Sequence, residues 1–119
     1  MREEFVKKLQ EKGVAKNPRV AAALKDTNRA DFMITGDPEQ DEPQRIYAGQ
    51  TISQPYTVAF MLDLLRLKPG QKILDVGSES GWTTTLLAHI TGEEENVIGV
   101  KIEPELVSFG QNNLKKIPF

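Results

Sequence analysis

KILDVGSESGW, residues 72–82, is the stretch on which the fold of this chain turns. A short apolar strand runs into Asp75, then into a turn with glycines at Gly77 and Gly81, then into a helical pattern over residues 82–90. Strand, glycine turn and helix in that order predict a nucleotide-type binding site. Glycine carries no Cβ, so the backbone can approach a ligand closely or take positive φ, and the helix that follows presents free N–H groups. Asp75, at the carboxyl end of the strand, adds a fixed acceptor. Midway between Gly77 and Gly81, where a third glycine would suit such a turn, the chain has Glu79.

Downstream, Gly92 breaks the helix and a charged loop with Glu93, Glu94 and Glu95 follows; residues 96–102 read as a second strand, and Pro104 opens a final helix. Strand, helix, strand at this spacing is one βαβ unit, for which parallel pairing is expected. Ligands of such sheets sit beyond the carboxyl ends of the strands, which gathers residues 75–81 and 101–103 at one rim. Upstream, Phe5, Val6 and Leu9 share a face of a helix over residues 3–12 that Gly13 ends. Asn17 before Pro18 is an N-cap with a first-turn proline, and Val20, Ala21 and Leu24 continue the stripe. Residues 35–50 lack periodicity and predict a loop. Ser53 and Pro55 open another helix, with Val58, Met61, Leu62 and Leu65 on one face and Lys68-Pro69-Gly70 at its end. Residues 1–119 are expected to form one domain, with a helical segment over 1–70 and the βαβ unit over 71–119.

Composition narrows the chemistry. The 119 residues are 39% hydrophobic and 27% charged, with a net charge of −2, which suits a globular domain and leaves no basic footprint for nucleic acid or an anionic membrane. The absence of cysteine excludes a disulfide framework and a thiolate nucleophile, and a single histidine excludes a histidine-rich metal centre, so no metal is expected. The N-terminus has no continuous apolar segment, so neither a signal peptide nor a membrane span is expected and the cytoplasm is the default location.

The segment GQTISQPY (residues 49–56), with LDVGSESGW and VKIEPEL, closely resembles the protein-L-isoaspartate O-methyltransferase family over about residues 13–114. GQTISQP is the more specific part, because a G-x-x-x-G turn occurs in many unrelated loops. The resemblance implies an α/β fold: N-terminal helices, then a partial Rossmann-like unit of the S-adenosylmethionine-dependent methyltransferase type with a truncated sheet. It implies methylation of the abnormal carboxylate of isoaspartyl residues in damaged proteins or peptides. It also implies Asp75, Gly77, Ser78, Ser80 and Gly81 around S-adenosylmethionine, Ser53 as the active-site serine, and the helical segment over 1–70, with Gln50 and Thr51, on the substrate side; strand alternation adds Glu103 as a cofactor-side candidate. By local sequence alone Ser53 reads first as a helix N-cap, a preference the surrounding motif reverses and a role compatible with the other; Trp82 reads as either a neighbour of the adenosyl group or a core residue. Thr83, Thr84 and Thr85 read as lining the first helical turn with no special role, and His89 as a cation-friendly residue at the helix end.

Four features depart from the family pattern. Glu79 stands where glycine is usual, at a possible cost of roughly 1–2 kcal/mol if the position is left-handed. Lys101 stands where an acidic residue usually meets the ribose hydroxyls, although Glu103 two residues on shares its strand face. Both weigh against tight cofactor binding. The loop over residues 35–50, with Gln44, Arg45 and Tyr47, is more polar than usual. The sheet has two strands where the family resembles about seven, so the chain reads as an N-terminal part, with marginal stability or self-association through an open edge expected. Two other functions stay open: a non-catalytic homologue that takes a partner strand, and a binder of a phosphate-bearing nucleotide through Lys101.

Overall fold

A computed structural model of the protein describes residues 2–46, 50–76, 80–92, 97–100 and 104–114, with side chains in the last segment from 108 to 113. Two amphipathic helices lead, α1 (Arg2–Glu11) and α2 (Pro18–Asp26). The Asn17 side chain accepts a hydrogen bond from the Arg19 N–H, which caps α2 as its Asn-Pro start predicts. A single 3-10 turn (Arg29–Phe32) follows, capped in the same way by Asn28.

The segment expected to be wholly loop, residues 35–50, contains a short strand instead. Strand β1 (Gln44–Arg45) pairs antiparallel with β2 (Thr51–Ile52), in register Gln44 with Ile52 and Arg45 with Thr51. Two residues per strand are too few to leave an alternating pattern in sequence.

Helix α3 (Pro55–Leu65) begins one residue later than a Ser53 cap would require. Its N-cap is Gln54, whose side chain makes no capping bond. The donor that a cap would satisfy, the Tyr56 N–H, reaches Asp41 Oδ1 at 2.8 Å. Asp41 is fifteen residues away, so no local pattern announces it. The helix buries Pro55, Val58, Ala59 and Leu62. Met61 and Leu65, expected inside, are each 58% exposed. Two overlapping stripes satisfy the same helical spacing, and packing against α1 and α2 selects the other one.

Strand β3 (Ile73–Val76), helix α4 (Trp82–Thr91), strand β4 (Val97–Val100) and helix α5 (Pro104–Leu114) form the βαβ unit and its closing helix. The strands pair in parallel, Ile73 with Val97 through Val76 with Val100, as expected. Helix α4 is the centre of the molecule: Trp82, Leu86, Leu87, Ala88 and Ile90 are buried in one core continuous with Phe5, Val6, Leu9, Leu24 and Phe32. That core crosses the boundary between residues 70 and 71. The opposite face of the sheet is bare, with Leu74, Val76, Ile98 and Val100 all exposed. Among the described residues, no helix is long and apolar enough to cross a membrane, and no three potential ligands are grouped to hold a metal ion.

Candidate functional site

Asp75 lies at the carboxyl end of β3, half-buried, and the Thr84 hydroxyl donates to its Oδ2 at 2.8 Å. The helix thus returns a donor to the strand that feeds it, which fixes the direction of the carboxylate. Thr84 has a role after all, and so does Thr85. The Thr85 hydroxyl and N–H both donate to the Gly81 carbonyl, at 2.9 and 3.0 Å, locking the first turn of α4 onto the glycine.

Gly81 is the N-cap of α4 with φ 92° and ψ 0°. That conformation costs an L-residue roughly 1–2 kcal/mol and glycine almost nothing. A glycine cap offers no side-chain acceptor, so the leading amides of α4 are left to other acceptors. Ser80 is buried, at 1% exposure, and its carbonyl accepts from Asn113 Nδ2 at 2.9 Å, which ties α5 beneath the turn. Gly77, Ser78, Glu79, Lys101 and Glu103, with Tyr47, Gly49 and the Glu93–Glu95 run, lie outside the described residues.

Gln50, Thr51 and Ser53, expected on the substrate side, are all exposed. The Gln50 carbonyl accepts from the Ile46 N–H at 2.9 Å, so β1 and β2 carry the QTIS segment as a small fixed hairpin. The local alternative for Ser53, helix capping, is removed by the later start of α3.

Arg29 joins the two sides, and nothing in its local sequence announces it. It is 3% exposed. Nη1 donates to the carbonyls of Pro38 and Gln40, each at 3.3 Å, and Nη2 to those of Glu42 and Ser53, each at 2.9 Å. Its guanidinium carbon stands 5.1 Å from the ring centroid of Trp82, a cation–π distance. Burial lowers its pKa to about 10, opposed by the charges of Asp41 and Glu42, so at neutral pH it remains a cation. Trp82 itself is 1% exposed and belongs to the core. Arg29 Nε and Trp82 Nε1 are buried without hydrogen-bond partners. Both residues back a cleft of about 710 Å³ whose rim carries Arg2, Lys25, Asp26 and Glu39. At the far end of α4, His89 Nε2 lies 3.0 Å from Asp26 Oδ2 and links α4 to α2.

Comparison with known proteins resolves the family. The profile described as protein-L-isoaspartate(D-aspartate) O-methyltransferase matches residues 1–118. The chain belongs to this family. A protein-L-isoaspartate O-methyltransferase of Methanopyrus kandleri is 39% identical over 122 aligned positions, covering 97% of this chain and 52% of the relative. The Caenorhabditis elegans enzyme of that name is 36% identical, covering 95% and 51%. A solved Plasmodium falciparum chain assigned to the same enzyme class, in complex with S-adenosyl-L-homocysteine, superposes with a TM-score of 0.87 at 32% identity. That match covers 97% of this chain and 55% of the other. The chain therefore spans about half the length of the curated relatives it matches. The α/β, Rossmann-like methyltransferase fold expected from sequence is the observed one, with a two-stranded parallel sheet.

Proposed function

We propose that this chain carries the cofactor turn and the acceptor segment of an S-adenosylmethionine-dependent protein carboxyl methyltransferase that acts on isoaspartyl residues of damaged proteins in the cytoplasm. The observation that carries this reading is the built turn of a family member: Asp75 oriented by Thr84, and Gly81 in the left-handed conformation at the start of α4. Both fit the cofactor, one as a directed acceptor and the other as backbone that a ligand can approach. Bound there, S-adenosylmethionine supplies a sulfonium methyl group.

The acceptor carboxylate has a pKa of about 4 and is ionised at neutral pH, so the protein needs no general base. A chain with no cysteine and one histidine is equipped for this reaction. What its residues contribute is alignment, for which proximity and orientation are worth up to roughly 7–11 kcal/mol in favourable systems. Ser53, exposed at the end of the QTIS hairpin, orients the acceptor through its hydroxyl, with Gln50 and Thr51 beside it. Residues 1–70 form the substrate-side segment and residues 71–119 the cofactor side.

Calorimetric titration with S-adenosyl-L-homocysteine and a methylation assay on an isoaspartyl peptide test this. Micromolar binding with methyl transfer is expected; binding of neither ligand overturns it. Glu79→Gly with Lys101→Glu is expected to tighten cofactor binding.

The bare sheet face supports a second reading, a non-catalytic module that associates with another chain. Leu74 and Val76 are 62% and 76% exposed, and Ile98 and Val100 beside them 63% and 39%. Absent cofactor binding together with concentration-dependent self-association in sedimentation would favour it. Tight binding of a nucleoside phosphate, lost in Lys101→Glu, would favour the phosphate reading.

A further inference from the structure

Arg29 is a cation with no salt bridge among the described residues, buried among main-chain carbonyls. Its four acceptors come from two separate places: Pro38, Gln40 and Glu42 in one loop, and Ser53 after β2. A planar fork of five N–H donors can serve such divergent acceptors at once; an ammonium with three donors at one point cannot. The same guanidinium lies on the face of Trp82, the residue immediately after Gly81. One side chain therefore touches the acceptor hairpin, the 38–42 loop and the root of the cofactor turn.

We propose that Arg29 is a positioning residue, whose guanidinium holds the Ser53 backbone and the 38–42 loop in a fixed relation to the start of α4. This rests on the methyltransferase reading for its catalytic meaning, since Ser53 and the glycine turn are the groups it relates. The core formed by α1, α2 and α4 has its own apolar packing, so the Arg29 contacts add geometry where the acceptor and cofactor segments meet.

Arg29→Lys and Arg29→Met in the full chain test the proposal. Trp82 is the one tryptophan, so its emission reports the cation above it directly. In Arg29→Lys we expect amide exchange at Ile46 and Tyr56 to rise about tenfold or more while Ala23 and Leu24 in α2 stay within about threefold, a local opening and not a global one. Trp82 emission is expected to shift in Arg29→Met, where the cation is gone, and to shift less in Arg29→Lys. In the methylation assay, the KM for an isoaspartyl peptide is expected to rise about tenfold while S-adenosyl-L-homocysteine affinity stays within about twofold, because the perturbed geometry is on the acceptor side. Unchanged exchange at Ile46 and Tyr56 overturns the proposal, as does an equal rise in α2. If Arg29→Met fails to fold, Arg29→Lys decides alone. If the unaltered chain binds neither S-adenosyl-L-homocysteine nor an isoaspartyl peptide, the functional reading fails, while exchange and emission still decide the positioning role.

Discussion

Replacing Asp41 should loosen the start of α3 and with it the segment that carries Ser53. The Asp41 carboxylate accepts from the Tyr56 N–H at 2.8 Å and from Lys12 Nζ at 2.6 Å, and its carbonyl accepts from Gln54 Nε2 at 3.3 Å. Asp41→Ala removes the two side-chain bonds. The capping bond is worth about 1 kcal/mol, within a range of roughly 0.5–2. The ion pair, with Lys12 half-exposed, adds about 0.5 to 1. At about 2.1 cal/mol/K of unfolding entropy per residue, 119 residues convert each kcal/mol into about 4 °C. A loss of about 2 kcal/mol therefore lowers Tm by about 8 °C. Asp41→Asn keeps the Oδ1 acceptor for Tyr56 but turns Oδ2, which accepts from Lys12, into an amide nitrogen that cannot accept, so it loses the ion pair alone and should cost about half as much. Partial burial pushes the Asp41 carboxyl up, but bonds from Lys12 and the Tyr56 N–H, with the Lys12 charge and Gln54, outweigh it and hold the pKa below its usual 3.8. A carboxyl depressed in the fold stabilises fully above its unfolded value and loses that contribution as pH falls through the folded one. Scanning calorimetry between about pH 7 and pH 3 should therefore show the Asp41→Asn deficit shrinking as the pH drops below about 4. Equal Tm values for the Ala and Asn variants, or a deficit that does not change with pH, would refute the capping argument.

Two further changes bear on the proposed cofactor turn. Gly81→Ala places a Cβ at φ 92° and should destabilise by roughly 1–2 kcal/mol, read as a drop in the urea midpoint, with weakened S-adenosyl-L-homocysteine binding in the same titration. An unchanged midpoint would mean the turn is not left-handed. Thr84→Val removes the hydroxyl that orients Asp75 while keeping side-chain shape, and should weaken S-adenosyl-L-homocysteine about five- to tenfold, near 1 kcal/mol, with the α-helical circular dichroism intact. Equal affinity in Thr84→Val would remove Asp75 orientation from the account.

Much of the fold is local and was legible for that reason. Asn17-Pro18, Gly81, Gly92 and Pro104 each act on their own few residues, and all end or begin elements as expected. The parallel pairing of β3 and β4 follows from the spacing of one crossover helix. The family was legible too, because GQTISQPY and LDVGSESGW are contiguous motifs. The limits appear wherever a partner is distant in sequence. Ser53 looked like a cap because the true acceptor, Asp41, reaches α3 across the hairpin. Met61 and Leu65 looked buried because α3 carries two apolar stripes and periodicity cannot choose between them. Thr84 looked idle because its bond runs back across the glycine turn to Asp75 on the preceding strand.

By itself, then, the amino-acid sequence determined the main helices, the parallel βαβ order and the family. Those depend on backbone preferences and contiguous motifs. Tertiary structure alone decided which face of α3 is buried, what caps it, and that Arg29 is an interior cation bound by four carbonyls and the Trp82 ring. An arginine is normally left in water because desolvating its charge is costly. It goes inside here because chain segments 38–42 and 53 converge to supply the acceptors, and that convergence exists only in the folded chain.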